Sequence, residues 1–185
     1  MDKDRVRLIR TPEEHIAAYR ALYEEAFPKN EQFPFDILLK RYRKGSVEFL
    51  SLVDNGTFVG LMITAEYEGR VLLNYFAIDG TRRGKGYGSS ALALLKERIR
   101  GKELFLDIEL AVSEAPNKEQ RKKRKAFYLR NGLVETSLRY QMFGDKFEML
   151  SDGADMDIAT LRVMLGRIFG KFTGLILKMV LKPLK

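Results

Sequence analysis

Apolar and polar positions repeat with a helical period in two stretches near the start of the chain. In residues 11–27 the apolar side chains recur three and four positions apart. Thr11 suits the N-cap position of this stretch, and Glu14 suits the reciprocal position of a capping box. The pattern predicts a helix here and a second, shorter helix over residues 35–43, which is ended by Gly45.

Three runs rich in β-branched and aromatic residues follow, at residues 47–53, 57–66 and 71–78. The sequence Asp-Asn-Gly, a strong hairpin signal, joins the first run to the second. A Glu-Gly turn joins the second run to the third. We therefore expect three consecutive antiparallel strands.

Helix and strand patterns alternate in the next part of the chain. A helix over residues 89–100, a strand over 103–110 and a charged helix over 118–130 precede two strands within residues 133–150. The complete order is α-α-β-β-β-α-β-α-β-β. It predicts an α/β (α+β) fold with a mixed sheet and helices on both faces.

The last part of the chain has a different character. After a turn-rich break, apolar residues recur at helical spacing among basic residues, and glycines interrupt the pattern. We expect one domain over residues 1–150 and a C-terminal amphipathic helical extension over residues 151–185, with two helices or a kinked one. The apolar stripe comprises Leu161, Leu165, Ile168, Phe172, Leu175 and Met179. Three partners could cover this stripe: the sheet of the same chain, a second subunit in a homodimer, or an anionic membrane surface. Packing against protein is favoured.

Composition narrows the functional classes. The 185 residues include 33 Lys and Arg against 25 Asp and Glu, a formal net charge of +8. This excess favours a polyanionic partner such as nucleic acid, a membrane surface or a phosphorylated cofactor. With no cysteine and one histidine, thiolate nucleophiles and cysteine- or histidine-rich metal sites are excluded, so we expect no metal. The N-terminus lacks the apolar run of a secretory signal, which predicts a cytoplasmic protein.

The most informative segment is the glycine-rich turn at residues 79–89, which lies between a predicted strand and a predicted helix. Its sequence is D-G-T-R-R-G-K-G-Y-G-S. Glycines let main-chain N–H groups converge, and the N-terminus of the following helix adds partial positive charge. Such a turn binds phosphate oxygens, and its arginines can bind two oxygens at once.

Spacing separates the phosphate-binding families. A Walker A loop is excluded because Gly80 and Gly84 enclose three residues instead of four, and Gly86 stands where Ser or Thr is needed. Residues 86–91 satisfy G-x-G-x-x-A, with Asp107 about 20 residues further on. A nicotinamide-dinucleotide-binding oxidoreductase is therefore the alternative, although that fold needs several parallel βα units and the chain offers one.

Arg83, Gly86 and Gly88 also satisfy R-x-x-G-x-G, and residues 127–133 read F-Y-L-R-N-G-L. The first pattern resembles the acyl-CoA-binding motif of the GNAT superfamily of N-acetyltransferases. The second resembles its F-Y-x-x-x-G-F segment, with leucine in place of the final phenylalanine. The resemblance covers residues 5–150 and implies a mostly antiparallel sheet with a central parallel splay. It also implies acetyl-CoA as cosubstrate.

The resemblance assigns the cosubstrate contacts. In such enzymes the strand before the turn splays away from the next parallel strand. The pantetheine arm lies in this gap, and its expected partners are backbone groups of Phe76, Ala77 and Ile78. Main-chain N–H groups of the turn would hold the pyrophosphate: those of Arg83, Gly84, Lys85, Gly86, Tyr87, Gly88 and Ser89.

Amine acetylation needs one group that takes a proton from the amine and one that gives a proton to the thiolate. Tyr128 matches the family position that protonates the sulfur; the alternative is a core tyrosine beside Phe127. Glu109 is the candidate base because Asp107 and Glu109 lie on the same side of a strand, and two close carboxylates raise one pKa. The alternative for Glu109 is a structural carboxylate that anchors the following loop.

Other residues complete the expected site. Glu31, in the loop between the first two helices, and Asn74, on the third strand, are candidate acceptor contacts. Many family members carry an asparagine seven residues before the catalytic tyrosine, but here Arg121 occupies that position. The basic run at residues 121–125 is interpreted as a solvated face. His15 is interpreted as a surface or partly buried residue and not as a catalyst.

These observations predict a cytoplasmic N-acetyltransferase that moves the acetyl group of acetyl-CoA to a primary amine of a small molecule or peptide. Since no cysteine exists to carry an acyl group, we expect direct transfer in a ternary complex. A non-catalytic module that binds nucleic acid is a further alternative. The chain has no aromatic-interleaved basic stripe or known nucleic-acid motif, so we expect no specific nucleic-acid partner.

Overall fold

The computed structural model describes residues 5–111, 117–170, 177 and 179–184. These residues include eight strands and five α-helices, and residues 177 and 179–180 are also helical. The strands are β1 Val6–Arg10, β2 Glu48–Asp54, β3 Thr57–Tyr67, β4 Arg70–Ile78, β5 Glu103–Glu109, β6 Val134–Met142, β7 Asp145–Ser151 and β8 Lys182–Pro183. The helices are α1 Ile16–Ala26, α2 Phe35–Arg43, α3 Tyr87–Arg98, α4 Lys118–Arg130 and α5 Ile158–Phe169.

The eight strands are hydrogen-bonded in the order β1-β2-β3-β4-β5-β7-β6-β8. β4 pairs with β5 in parallel, with residues 70–72 opposite residues 103–105. The pairs β1–β2, β2–β3, β5–β7, β6–β7 and β6–β8 are antiparallel. The predicted fold class, a mixed and mostly antiparallel sheet with helices, is confirmed.

Two tight turns set the register of the central hairpins. Asn55 and Gly56 have φ angles of 49° and 77°, and Glu68 and Gly69 have φ angles of 49° and 76°. Two consecutive residues with positive φ give the backbone twist that matches a pair of antiparallel strands. The three predicted strands at residues 47–78 are confirmed within a few residues at each end.

Strand β1 is absent from the predicted elements, and the predicted capping box at Thr11 is wrong. The Thr11 N–H donates to the Phe49 carbonyl at 2.9 Å, and its hydroxyl hydrogen-bonds the Ser51 hydroxyl at 3.0 Å. Thr11 therefore continues the pairing of β1 with β2. A 3-10 turn at Glu13–His15 leads into α1, with no side-chain cap.

The chain divides into two compact units. Unit 1 comprises Met1–Glu66 and Leu73–Arg100, and unit 2 comprises Tyr67–Leu72 and Gly101–Lys185. The core of unit 1 is aromatic: the Phe49 ring stacks with the rings of Tyr19 and Tyr42, with both centroid distances at 4.8 Å. The domain boundary expected after residue 150 stays a prediction.

The core of unit 2 includes the inner side of α5. Asp157 caps this helix by accepting the Thr160 N–H at 2.7 Å, and the helix ends at Gly170, whose φ is 107°. Four of its side chains are fully buried: Leu161, Met164, Leu165 and Ile168. The described part of the predicted apolar stripe is thus covered by protein, except for Met179, which is 71% exposed.

Some expectations fall on residues outside the described ranges. They include residues 1–4 of the N-terminal segment, and Phe172 and Leu175 of the apolar stripe. Among the described helices, none has both the length and the apolar composition that crossing a membrane requires.

Candidate active site

Strand β4 has one half-buried face at the end that leads into the glycine-rich turn. Asn74, Phe76 and Ile78 are half-buried and alternate with the buried Tyr75 and Ala77. Because successive residues of a strand face opposite sides, the three half-buried residues share one face. The structure therefore places the expected acceptor contact Asn74 on the same face as two residues expected to contact the pantetheine arm.

Gly60 of β3 permits a close approach to this end of β4. A Cβ atom at Gly60 would lie 2.8 Å from the Ala77 carbonyl oxygen and 2.7 Å from Ile78 Cδ1. Both distances are too short, so any other residue at this position would displace the end of β4. The sequence pattern assigned no role to Gly60, because a glycine within a strand does not reveal what it faces.

Asp79 organises the start of the turn. Its carboxylate accepts hydrogen bonds from the Thr81 N–H at 2.8 Å and from the Thr81 hydroxyl at 2.7 Å. The hydroxyl bond, followed by the main-chain bond, lowers the pKa of Asp79. The ionised carboxylate thus stabilises the 3-10 turn at Gly80–Arg82 and serves the shape of the loop.

Gly84 and Gly86 give the turn its backbone shape. Their φ angles are 76° and 83°, in the left-handed region that L-residues with a Cβ avoid. A Cβ atom at either position would meet nothing within 4 Å. The requirement for glycine is therefore conformational, and the R-x-x-G-x-G pattern records a backbone conformation more than a set of side-chain contacts.

The N-terminus of α3 is open to an anion. Gly86 is its N-cap, and no side chain caps the helix. The N–H groups of Tyr87, Gly88 and Ser89 belong to the first helical turn, where an α-helix supplies no internal acceptor. Together with the helix dipole they form a site for phosphate oxygens.

Basic side chains extend this site. Arg83 and Lys85 are exposed, and Arg82 is half-buried. The Arg83 Nε donates to the Ile78 carbonyl at 3.2 Å, which ties this side chain to the end of β4. The chemistry of this donor set, main-chain N–H groups with guanidinium and ammonium groups, fits a diphosphate.

The loop between α1 and α2 is attached to β4. The Tyr75 hydroxyl donates to the Glu31 carbonyl oxygen at 3.0 Å. The rings of Tyr23 and Phe27 pack edge-on against Tyr75, with centroid distances of 4.9 and 5.0 Å. The structure thus brings the exposed Glu31 to the strand that carries Asn74, both within unit 1.

Tyr128 lies in α4 of unit 2 and is 9% exposed. Its ring packs edge-on against Phe127, with centroids 5.2 Å apart. Burial raises the pKa of Tyr128 to about 12. This pKa keeps the hydroxyl protonated at neutral pH and able to donate a hydrogen bond.

Glu109 is held by two arginines of α4. The Arg121 Nη2 and the Arg124 Nη1, the latter at 3.2 Å, pair with different oxygens of its carboxylate, which is 10% exposed. Arg121 also donates to the Leu110 carbonyl at 2.9 Å and to the Asn117 side chain at 2.7 Å. These contacts match the anchoring alternative for Glu109, because they attach the start of α4 to the end of β5.

The interpretation of residues 121–125 as a solvated face is wrong for three of the five side chains. Besides the two arginines, Lys125 pairs with Glu135 at 2.9 Å and with Glu148 at 2.7 Å. Glu148 is only 3% exposed. Residues spaced three and four apart share one side of a helix, so the basic side chains on this side of α4 form ion pairs with carboxylates of the sheet.

Asp107 is the second carboxylate on this side of β5. It is half-buried and accepts a hydrogen bond from the Tyr140 hydroxyl. Burial raises the pKa of Asp107, and the Tyr140 hydrogen bond partly opposes this shift. The charge of Asp107 in turn contributes to the raised pKa of Tyr128, so the two groups interact electrostatically. One pKa of the pair is raised, as expected, but the cause is desolvation of Asp107 and not the neighbouring carboxylate.

His15 is partly buried, as expected, and its ring lies 5.9 Å from the Phe58 ring. Its Nδ1 atom is buried without a hydrogen-bond partner among the described residues. Within residues 5–111, 117–170, 177 and 179–184, no cluster of three or more His, Asp or Glu side chains is arranged to hold a metal ion.

The family model of the acetyltransferase (GNAT) family matches residues 16–132, more than half of the chain. No curated protein matches the chain at a significant level. Three solved structures illustrate the fold. A GNAT-family protein from Bacteroides thetaiotaomicron has a TM-score of 0.72 and 23% identity, covering 88% of this chain and 97% of that one.

The ribosomal-protein-S18-alanine N-acetyltransferase from Escherichia coli has a TM-score of 0.60 and 19% identity, covering 82% of this chain and 96% of its own. A spermidine N-acetyltransferase chimera from Vibrio cholerae and hSSAT has a TM-score of 0.61 and 16% identity, covering 80% of this chain and 94% of that one. At these identities the structures show the fold, and the family match shows descent. The chain therefore belongs to the GNAT family of acetyltransferases.

Proposed function

We propose that this acetyltransferase moves the acetyl group of acetyl-CoA to a primary amine. The observation that carries the proposal is the N-terminus of α3, where a left-handed Gly86 replaces a side-chain cap and leaves first-turn N–H groups for a diphosphate. The nicotinamide-dinucleotide alternative needs several parallel βα units. The sheet of the described residues has one parallel pair, β4–β5, and the family is that of acetyltransferases.

Acetyl-CoA supplies a thioester that carries the acetyl group. We propose that the main-chain N–H groups of residues 84–89 hold its pyrophosphate, and that the Arg83 and Lys85 side chains add positive charge there. The Arg83 N–H itself donates to the Gly80 carbonyl at 3.4 Å. Backbone groups of residues 76–78 are the proposed partners of the pantetheine arm. Gly60 supports this role because its lack of a side chain lets β3 approach Ala77 and Ile78 closely.

The transfer forms a bond from the amine nitrogen to the acetyl carbonyl carbon and breaks the carbon–sulfur bond. The nitrogen loses one proton, and the sulfur gains one. We propose Asp107 as the group that takes the proton, because its raised pKa makes it a stronger base than an ordinary aspartate. Glu109, the candidate from the sequence, is held in two ion pairs that favour an anchoring role.

Tyr128 is the proposed donor to the sulfur. A thiol has a pKa of about 8.5, far below the value of about 12 that burial gives Tyr128. Complete transfer of the phenolic proton to a thiolate is therefore unfavourable by about 5 kcal/mol at these pKa values. The hydroxyl acts mainly as a hydrogen-bond donor while the carbon–sulfur bond breaks, and solvent completes the protonation.

The acceptor class follows from the family and the named neighbours. Two of the solved structures are named for acetylating an alanine of a ribosomal protein and spermidine, and both acceptors present amines. We propose a small-molecule or peptide amine for this chain, with Glu31 and Asn74 as acceptor contacts. Because the sequence has no cysteine, we propose direct transfer in a ternary complex.

Thermal unfolding with acetyl-CoA or NAD tests the cosubstrate. A ligand at 100 times its Kd stabilises the folded protein by about 2.7 kcal/mol. We expect acetyl-CoA to raise the Tm, NAD to have no effect, and Arg83→Glu to abolish most of the acetyl-CoA shift. Lys40→Glu, an equal charge change on the exposed side of α2, is the matched control and should keep the shift. Equal shifts from NAD and acetyl-CoA would contradict the proposal.

Initial rates of thiol release with a panel of amines test the transfer itself. A ternary complex predicts lines that intersect in double-reciprocal plots when both substrates are varied. Parallel lines would indicate an acyl-enzyme intermediate and would exclude direct transfer.

A further inference from the structure

We propose that the Tyr87 hydroxyl, Asp54 and Arg5 form a positioning cluster that holds the N-terminus of α3 in the conformation required for the pyrophosphate. This inference rests on the proposed function, since it concerns the binding of acetyl-CoA. It assigns a role to the Tyr87 side chain, at a motif position where any residue is allowed, and to two residues outside the glycine-rich turn.

Tyr87 is the first residue of α3 and is 6% exposed. Its main-chain N–H belongs to the first helical turn, whereas its hydroxyl donates a hydrogen bond to the Asp54 carboxylate. The residue therefore connects the phosphate-binding end of α3 to the end of β2, 33 positions earlier in the chain.

Asp54 is itself firmly held. The carboxylate is 4% exposed and is paired with Arg5, whose Nη2 lies 3.0 Å from one carboxylate oxygen. The Arg5 carbonyl accepts the Asn55 N–H at 3.3 Å, and Val6 pairs with Asp54 in the sheet. The hydrogen bonds from Arg5 and then Tyr87 lower the pKa of Asp54, so the acceptor is charged. Hydrogen bonds to a charged acceptor are stronger than neutral ones.

The turn needs such an external support. Gly84 and Gly86 are both left-handed, and no side chain caps the helix that follows. Glycine loses more conformational entropy than other residues when it is ordered. The hydrogen bond from the first residue of α3 to the sheet restricts the turn before the ligand arrives. The turn therefore loses less conformational entropy when the pyrophosphate binds. The hydroxyl of Tyr87, and not only its ring, then contributes to acetyl-CoA affinity.

The test compares two acetyl donors in the full-length protein: acetyl-CoA, and acetyl-pantetheine, which lacks the pyrophosphate and nucleotide. For Tyr87→Phe we expect the KM for acetyl-CoA to rise about tenfold, which equals about 1.4 kcal/mol. The rate at saturating acetyl-CoA should fall much less than this. The KM for acetyl-pantetheine should match that of the wild type, because this donor does not reach the pyrophosphate site.

Tyr42→Phe is the matched control. Its hydroxyl donates to the Thr11 carbonyl in the same unit, so the variant also removes a buried tyrosine hydrogen bond. It should lower the Tm without changing the KM ratio of the two donors. Asp54→Asn keeps an oxygen acceptor but removes the charge, and we expect an intermediate KM for acetyl-CoA. If Tyr87→Phe is too unstable to assay, the KM values of Asp54→Asn for the two donors test the inference instead.

An unchanged KM for acetyl-CoA in Tyr87→Phe and Asp54→Asn would overturn the inference and leave the proposed function intact. Equal increases in KM for both donors would also overturn it, because they would indicate a general loss of structure. If the wild type itself neither binds nor uses acetyl-CoA, the proposed function fails, and this inference fails with it.

Discussion

The glycine-rich turn of unit 1 and helix α4 of unit 2 are both rich in positive charge, but the charge is used differently. In the turn, Arg83 and Lys85 are exposed, and the backbone conformation of glycines sets the shape. In α4, Arg121 and Lys125 are engaged with carboxylates of the sheet, and Glu148 among these is only 3% exposed.

Under the proposed function, the difference follows from what each region must hold. A site for a mobile anion needs N–H groups and cations that no internal carboxylate neutralises. In a helix that must keep one tyrosine in place, buried ion pairs fix its position on the sheet, and removal of one partner would leave an uncompensated charge at a cost of about 3–5 kcal/mol. The same residue types thus serve binding where they are exposed and positioning where they are paired.

The largest expected effect is on unit 2, from truncation after Gly153. The truncation removes α5, whose four fully buried side chains each stabilise the fold by about 1.5–3 kcal/mol. Their sum is comparable with the total stability of about 5–15 kcal/mol of a typical protein. We expect an insoluble or strongly destabilised protein, which soluble yield and Tm would measure. Val163→Ser is the control: Val163 is 44% exposed, and the substitution should change the free energy of unfolding by less than about 0.5 kcal/mol.

The same truncation tests the membrane alternative for the extension. Full solubility of the truncated protein, together with sedimentation of only the full-length protein with anionic vesicles, would contradict packing. Sedimentation equilibrium of the full-length protein distinguishes a monomer from a homodimer.

Asp107→Asn tests the chemical role of the carboxylates near α4. We expect kcat to fall by about 10²–10⁴, the usual contribution of a general base. In the wild type the rate should fall as the pH decreases through the raised pKa of Asp107, because the base is then protonated. This acidic limb should be absent from the variant.

Stability separates Asp107 from Glu109. A raised folded-state pKa means that Asp107 favours folding when protonated, and that this contribution is lost as the pH rises through that pKa. Asp107→Asn should therefore keep or raise the Tm at pH 7. Glu109→Gln should lower the free energy of unfolding by about 3 kcal/mol, because it leaves Arg121, which is 11% exposed, without its anion. A larger kcat loss in Glu109→Gln would restore Glu109 as the base.

Tyr128→Phe should lower kcat by about 10- to 150-fold, the equivalent of one hydrogen bond to a charged group, about 1.5–3 kcal/mol. The KM for acetyl-CoA should change little, since the ring packing is preserved. The pKa of about 12 keeps the hydroxyl protonated through the neutral range, so its ionisation should produce no alkaline limb there. Wild-type kcat in the variant would assign sulfur protonation to solvent alone.

Gly86→Ala is expected to have the smallest effect, and it tests whether backbone shape governs the turn. Its left-handed φ of 83° costs an alanine about 1–2 kcal/mol, which should weaken acetyl-CoA binding about tenfold. Gly166→Ala, within α5 and with nothing within 4 Å of the added Cβ, is the control and should stabilise the helix by up to about 1 kcal/mol. Unchanged binding by Gly86→Ala would point to side chains instead.

Local signals in the sequence predict most of the strands and helices and the family. The hairpin at Asn55 and Gly56, the helix after the glycine-rich turn and the family assignment all depend on conformational preferences or motifs that span a few residues. Such preferences act between neighbours in the chain, so the sequence alone reveals them. Strand β1 cannot be predicted from the pattern because it has five residues with no clear alternation, and its pairing with β2 joins residues 40 or more positions apart.

The tertiary structure decided the states of the charged and hydroxyl groups. Tyr87 meets Asp54 across 33 positions, Tyr140 meets Asp107 across 33, and Lys125 meets Glu148 across 23. Burial and hydrogen bonding set the pKa of a carboxylate, and both depend on residues that are distant in the chain. For that reason the sequence could name Asp107 and Glu109 as a pair, whereas only the fold separated the desolvated carboxylate from the one that anchors α4.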